Sequence, residues 1–160
     1  MISPDVIIPS PLGRIGITLN ASSCAVTSLD FLPDTAGLRA PVTAAARKVV
    51  RDLELYFEDP NHPFDSPLQL AGTAHQQRVW RALRQVPCGQ AWTYGRLAAL
   101  VGSSPRAVGQ ACRRNPIPII VPCHRIVART GSGGYSGATA GPQLAIKYWL
   151  LQHEGVPVPA

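Results

Sequence analysis

Lysine is nearly absent from this chain. Only Lys48 and Lys147 occur among its 15 basic residues, so the positive charge is carried by arginine. Acidic residues are few, nine in all, and beyond residue 65 the only one is Glu154. No apolar run approaches the roughly 18 residues of a membrane-spanning helix, which excludes that class. The four cysteines, Cys24, Cys88, Cys112 and Cys123, include no C-x-x-C pair. That excludes a zinc ribbon or a thioredoxin-like motif, and no convincing metal-ligand set is visible. The opening MISPDVIIPS lacks a basic segment followed by a long apolar stretch, so no signal peptide is expected. A cytoplasmic setting with reduced thiols is the default expectation, in which a thiol nucleophile would survive.

What is present describes a folded protein. Of 160 residues, 46% are hydrophobic and 15% charged, a globular composition rather than a disordered one. The net charge of +6 favours an anionic partner, nucleic acid before membrane. Arginine adds bidentate contacts and stacking on bases, which leans the same way. A basic surface kept only for solubility fits the charge alone equally well.

Local pattern divides the chain in two. Residues 6–32 read as strands, with a turn at Pro11-Leu12-Gly13. Residues 42–58 place Val49, Val50, Leu53, Tyr56 and Phe57 at helical spacing. Three prolines within residues 60–67 rule out a regular helix, so a linker is expected over 66–74. The expected domains are 1–65, a small β-sheet plus one helix, and 75–160, mostly helical: an α+β protein. In the second, Val79, Trp80, Leu83 and Val86 share a helix face, with Thr73 placed to cap its start. Thr93 caps a short helix stopped by Gly102. Ser103 or Ser104 caps the next, with Pro105 at its first position. Two short helices joined by Gly-Ser-Ser form a helix-turn-helix candidate. A last helix is expected from Pro142 to Gly155.

Two constellations carry chemistry. The second helix of the pair holds Ala107, Gly109 and Ala111 beside Arg106, Arg113 and Arg114. An interior glycine costs a helix about 1 kcal/mol against alanine, tolerable where another backbone comes close. That backbone is either a nucleic acid or a neighbouring helix. The sharper signal is Cys123-His124 at the end of the apolar run IPIIVP. On a strand, adjacent side chains face opposite ways, so a bridging water rather than a direct bond would join thiol and imidazole. The thiolate is the nucleophile, a free thiol has a pKa of about 8.5, and histidine can take the proton. A carboxylate orienting that histidine from the C-terminal part has to be Glu154. A bare Cys-His pair is more often an inert buried cysteine with an incidental histidine.

The segment RAVGQACRRNPIPIIVPCHRIV, then GYSG and K-x-W-L-L-x-H-E-G, closely resembles the O6-alkylguanine-DNA alkyltransferase family. The resemblance runs nearly continuously over residues 73–155, including QQRVWRALRQVP and TYGRLAALVG. It implies direct reversal of DNA damage, by irreversible transfer of the alkyl group from O6-alkylguanine to Cys123, with O4-alkylthymine left open as a second substrate. Each molecule would act once. It implies docking of the helix-turn-helix in the minor groove of duplex DNA through Arg106, Ala107, Gly109, Gln110 and Arg113, with the damaged nucleotide flipped out. Arg106 matches the family's finger into the base stack, and Tyr94 the tyrosine that helps turn the nucleotide out.

By the same resemblance His124 deprotonates Cys123 through a water, Glu154 orients His124, and Asn115 holds the surrounding hydrogen bonds. Tyr94, Tyr135, Ser136 and Lys147 would line the substrate site, with Cys112 at the pocket floor. No cofactor or metal is implied. A monomer in solution is expected, with cooperativity along DNA left open, and a cytoplasmic or nucleoid location. The stretch from Tyr135 to Lys147 is longer than the family pattern, Ala138 replaces a usual glycine, and His75 and Cys88 stand where aromatics are expected. Three other classes compete: a lesion-binding relative without the nucleophile, a helix-turn-helix regulator, and a Cys-His hydrolase. Cys123 argues against the first. No dimer surface or effector domain supports the second, and the third has no use for an arginine-rich helix.

Overall fold

In the computed structural model, residues 3–128 and 142–157 are described, and they cluster into two units, Met1–Ala71 and Gly72–Ala160. The first unit is an antiparallel sheet of β1 (Val6–Ser10), β2 (Gly13–Leu19) and β3 (Val26–Leu32), in the order β1-β2-β3. The β1–β2 hairpin turns at Pro11-Leu12, and Gly13 enters β2 with φ at +93°, a conformation that favours glycine. Each outer strand carries one further bridge, Arg39 on Ile7 and Leu68 on Val26.

Helix α1 (Ala44–Glu58) is capped by Thr43, whose hydroxyl accepts from the Ala46 amide. Its buried Ala46, Val49, Val50, Leu53 and Tyr56 recur at i, i+3, i+4 and i+7. With Val6, Ile8, Ile15, Ile17, Val26 and Leu29 of the sheet they form the core of this unit. Each fully buried Val, Leu or Ile contributes about 1.5–3 kcal/mol. Asp52 is buried on α1 and accepts from Lys48 and His62, which ties the proline-rich segment back to the helix. The expected linker, 66–74, divides. Val26 donates to the Pro67 carbonyl and accepts from the Gln69 amide in the first unit, while Thr73 begins the next helix.

The second unit opens with α2 (Ala74–Leu83). Thr73 and Gln76 satisfy each other's backbone amides in a capping box. Trp80 is buried and its indole N–H donates to the Ala111 carbonyl at 2.9 Å. Strand β4 (Trp92–Thr93) leads into α3 (Tyr94–Val101), and Ser104 caps α4 (Pro105–Arg113). Of the two candidate serines Ser104 is the cap; Ser103 bonds His75 Nε2 at 2.7 Å. A 3-10 turn over Cys123–Arg125 runs into β5 (Ile126–Val127), which pairs with β4 in parallel, Trp92 opposite Ile126 and Thr93 opposite Val127. Helix α5 (Pro142–His153) follows. Among the described residues no helix is long and apolar enough to cross a membrane.

The turn between α3 and α4 depends on Gly102, at φ +68° and ψ +47°, whose amide donates to the Ala98 carbonyl. A Cβ there would meet nothing within 4 Å, so the demand is purely conformational. Gly102→Ala should therefore cost about 1–2 kcal/mol in urea unfolding, and Gly102→Asn clearly less. Equal losses for both would mean that packing, not backbone conformation, selects glycine.

Candidate active site

The apolar run before Cys123 is not a strand. Pro116, Pro118 and Pro122 remove three amide donors, and residues 116–121 form bends and turns. Ile119 sits at φ +73°, an outlier for a β-branched residue. The loop is held by Asn115, the residue expected to support the site. Its Nδ2 donates to the Val121 carbonyl at 2.7 Å and its Oδ1 accepts from the Ile117 amide at 2.9 Å. The Val121 amide returns to the Ile117 carbonyl, and the Cys123 amide to the Val121 carbonyl. Cys123 thus begins a 3-10 turn, which corrects the strand-based view of how Cys123 and His124 diverge.

Cys123 is 5% exposed and His124 is fully buried. His124 Nε2 lies 2.8 Å from Glu154 Oε2, at the end of α5. Arg125 Nε and Nη2 donate to Glu154 Oε1 and Oε2 at 2.8 and 3.0 Å. Burial alone would raise the Glu154 carboxyl; the hydrogen bonds from His124 and Arg125, and their charges, outweigh it and hold it at about 2. An ionised carboxylate only accepts, so Nε2 carries the proton and Nδ1 is the basic nitrogen. Nδ1 is buried and makes no hydrogen bond among the described residues. Burial pulls the His124 ring below its ordinary 6.5, the Glu154 bond opposes this, and the charges of Arg125 and Lys147 push downward again. The ring is therefore neutral at pH 7.

The short β4–β5 ladder carries the first residue of α3 towards this turn. Tyr94 is half-buried, and burial, with the Cys112 and Cys123 thiols nearby, pushes its hydroxyl well above the usual value, so it remains a donor. Lys147 is fully buried on α5. Its Nζ donates to the Ile126 carbonyl at 2.7 Å and lies 5.8 Å from the Tyr94 ring centroid. Burial lowers the Lys147 amine to about 8, against the opposing pull of the Cys123 and Cys112 sulfurs. Cys112 is buried on α4, and burial pushes its thiol well up, with Cys123 adding to the shift. Cys123, His124, Glu154, Asn115, Tyr94, Lys147 and Cys112 therefore belong to one neighbourhood. Tyr135 and Ser136 lie outside the described residues. Arg125 is a member that the sequence reading left out, although the motif P-C-H-R prints it beside His124.

On α4, Arg106, Gln110 and Arg113 are exposed, and Ala107 and Gly109 are half-buried. A Cβ on Gly109 would meet only Tyr94 Cε1 at 3.9 Å, so no close helix demands glycine there. Ala111 is buried against Trp80 and leaves the group of small surface residues. The second unit holds ten basic residues and one acidic, net +9, against −3 for the first unit. Among the described residues no group of three His, Cys, Asp or Glu side chains is placed to hold a metal ion.

Comparison with known proteins points one way. The profile of the 6-O-methylguanine DNA methyltransferase DNA-binding domain matches residues 74–156. The methylated-DNA–protein-cysteine methyltransferase of Salmonella typhimurium is 51% identical over 87 residues, 52% of this chain and 48% of that protein. The match thus spans about half the length of that relative. The Saccharolobus islandicus protein of the same name is 35% identical over 150 residues, 94% of each chain. Among solved structures, the O6-methylguanine methyltransferase of Mycobacterium tuberculosis aligns with TM-score 0.77 at 35% identity, covering 99% of this chain and 96% of that one. The Mycobacterium tuberculosis OGT crystallised in complex with DNA aligns with TM-score 0.76 at 36% identity, covering 94% and 92%.

The Glu154 pairing has a testable sign. With a carboxyl at about 2 when folded and 4.5 when not, its stabilisation is full above pH 4.5 and is lost as pH falls towards 2. The Glu154 carboxyl carbon resonance should titrate near the lower value, and Glu154→Ala should cost about 3–5 kcal/mol by stranding Arg125. A resonance titrating at 4.5 would contradict the pairing.

Proposed function

Because this chain belongs to the methylated-DNA–protein-cysteine methyltransferase family, we propose that it repairs duplex DNA by moving the alkyl group of O6-alkylguanine onto Cys123. One observation carries the reading. His124 is buried, its ring is held below its ordinary pKa, its Nε2 lies 2.8 Å from Glu154 Oε2, and its Nδ1 belongs to the residue next to Cys123. That is the arrangement of a base for a thiol, with a water as the relay.

The step balances as a displacement. The thiol proton passes to His124 Nδ1, and the Cys123 sulfur forms a bond to the alkyl carbon. The bond from that carbon to O6 breaks, and guanine keeps the electron pair. Guanine leaves as an anion, so a donor aimed at it lowers the barrier. The Tyr94 hydroxyl, kept protonated by burial, is that donor, with guanine N3 as its acceptor by the family resemblance. Lys147 keeps a positive charge beside the two sulfurs at neutral pH. Tyr135 and Ser136 are assigned to the alkyl pocket by the family resemblance alone. The product is a thioether, whose C–S bond a neighbouring thiol such as Cys112 does not exchange, so the reaction runs once per molecule. O4-alkylthymine presents the same kind of carbon and falls within the same chemistry. No cofactor enters any step.

The DNA side rests on charge and on α4. Arg106, at the second position of α4, is the side chain that fills the stack when the nucleotide leaves. Gln110 and Arg113 flank the half-buried Ala107 and Gly109, over which a backbone can come close. Flipping costs a few kcal/mol, least for a poorly paired base, which biases the reaction towards lesions. The protein works as a monomer in the reducing cytoplasm, where Cys123 stays a thiol.

Cys123→Ser should abolish methyl transfer from a labelled O6-methylguanine duplex and leave DNA affinity nearly unchanged. Arg106→Ala should slow repair in the duplex more than reaction with the free alkylguanine base. Affinity should fall steeply with salt. Transfer that survives in Cys123→Ser would overturn the assignment of the nucleophile.

A further inference from the structure

Arg125 joins three parts of the second unit. Its Nε and Nη2 grip both oxygens of Glu154, and its Nη1 donates to the Val86 carbonyl at 2.7 Å, just beyond α2. Glu154 Oε2 is shared, accepting from Arg125 and from His124 Nε2. The planar fork matches a carboxylate in two bonds, which fixes rotation as well as position. Anchoring the third nitrogen on Val86, itself 1% exposed, fixes the fork in turn.

We propose that Arg125 is a positioning residue for alkyl transfer, holding the Glu154 carboxylate square on His124 Nε2 and balancing its charge so that Nδ1 remains the basic nitrogen. This rests on the assignment of Cys123 and His124 given above. Two physical effects follow from the geometry. A carboxylate gripped at one oxygen only would swing and let the imidazole turn, and an oriented second partner of this kind is worth about 10–100-fold in function elsewhere. A buried carboxylate with no cation beside it would draw a second proton onto His124 and leave it unable to accept from Cys123. The charged groups that act on this ring are Lys147 from α5, Glu154 just past its end, and Arg125 from the ring's own turn. The Cys112 thiol of α4 and the Tyr94 hydroxyl at the start of α3 are held neutral by burial. Of these, Arg125 is the cation in contact with the carboxylate that His124 uses.

The test is the single-turnover rate of methylation of Cys123 against pH, at saturating duplex, for the wild type, Arg125→Met and Arg125→Lys. Arg125→Met should be slowed about 10–100-fold, with DNA affinity kept. Its low-pH limb should move to higher pH, because His124 loses a cation and keeps the carboxylate. Arg125→Lys should restore the limb but only part of the rate, having the charge without the fork. Arg125→Met with the wild-type rate and limb overturns the proposal. So does a slowed Arg125→Met with an unmoved limb, which marks a merely structural role. If Arg125→Met does not fold, ring nitrogen resonances of wild-type His124 at neutral pH decide: a neutral ring protonated on Nε2 supports the proposal, and a cationic ring overturns it. A wild type that gains no methyl fails earlier, at the functional reading itself, and is distinguishable from both.

Discussion

Glu154 is the only acidic side chain after residue 65, and the second unit is organised around it. An unpaired carboxylate in a protein interior costs several kcal/mol, so its burial is possible only with partners. His124 and Arg125 provide three short bonds to its two oxygens. Arg125 brings the charge that offsets it, which leaves His124 free to be neutral. The turn that carries Cys123 is therefore fixed to the end of α5, and through Val86 to the end of α2. A unit with no other acid has few ways to misplace this network.

The same shortage of acids shapes the outer surface. With Glu154 buried, the exposed charge of the described part of the second unit is entirely positive, and Arg78, Arg81, Arg84, Arg96, Arg106, Arg113 and Arg114 are all exposed. The first unit carries net negative charge. The +6 of the whole chain thus understates the field that a polyanion meets at the second unit. Nucleophile and basic surface lie on one folding unit, as proposed repair of a DNA base requires.

Much of this was legible in the sequence, because local signals and tertiary structure agree. Thr73, Thr93, Pro105 and Gly102 mark helix ends by residue type alone, and the helix-turn-helix follows from them. Glu154 was identifiable by elimination. The turn at Cys123 was not, because an apolar run reads as a strand; Pro116, Pro118 and Pro122 break it, and Asn115 and the left-handed Ile119 show how it bends. Ala111 looked like a small surface residue, but the Trp80 indole occupies its carbonyl across 31 residues. Arg125 was overlooked because its partners, Val86 and Glu154, lie 39 and 29 residues away, and nothing local announces them. The roles of Tyr135 and Ser136 still rest on family resemblance alone.

The most direct measurement is the intact mass of the protein after incubation with a duplex that carries one O6-methylguanine. A gain of one methyl group, mapped to Cys123 and saturating at one per molecule under excess substrate, is the predicted result. An unchanged mass with tight binding to the same duplex, or a methyl group on any other residue, would contradict the account.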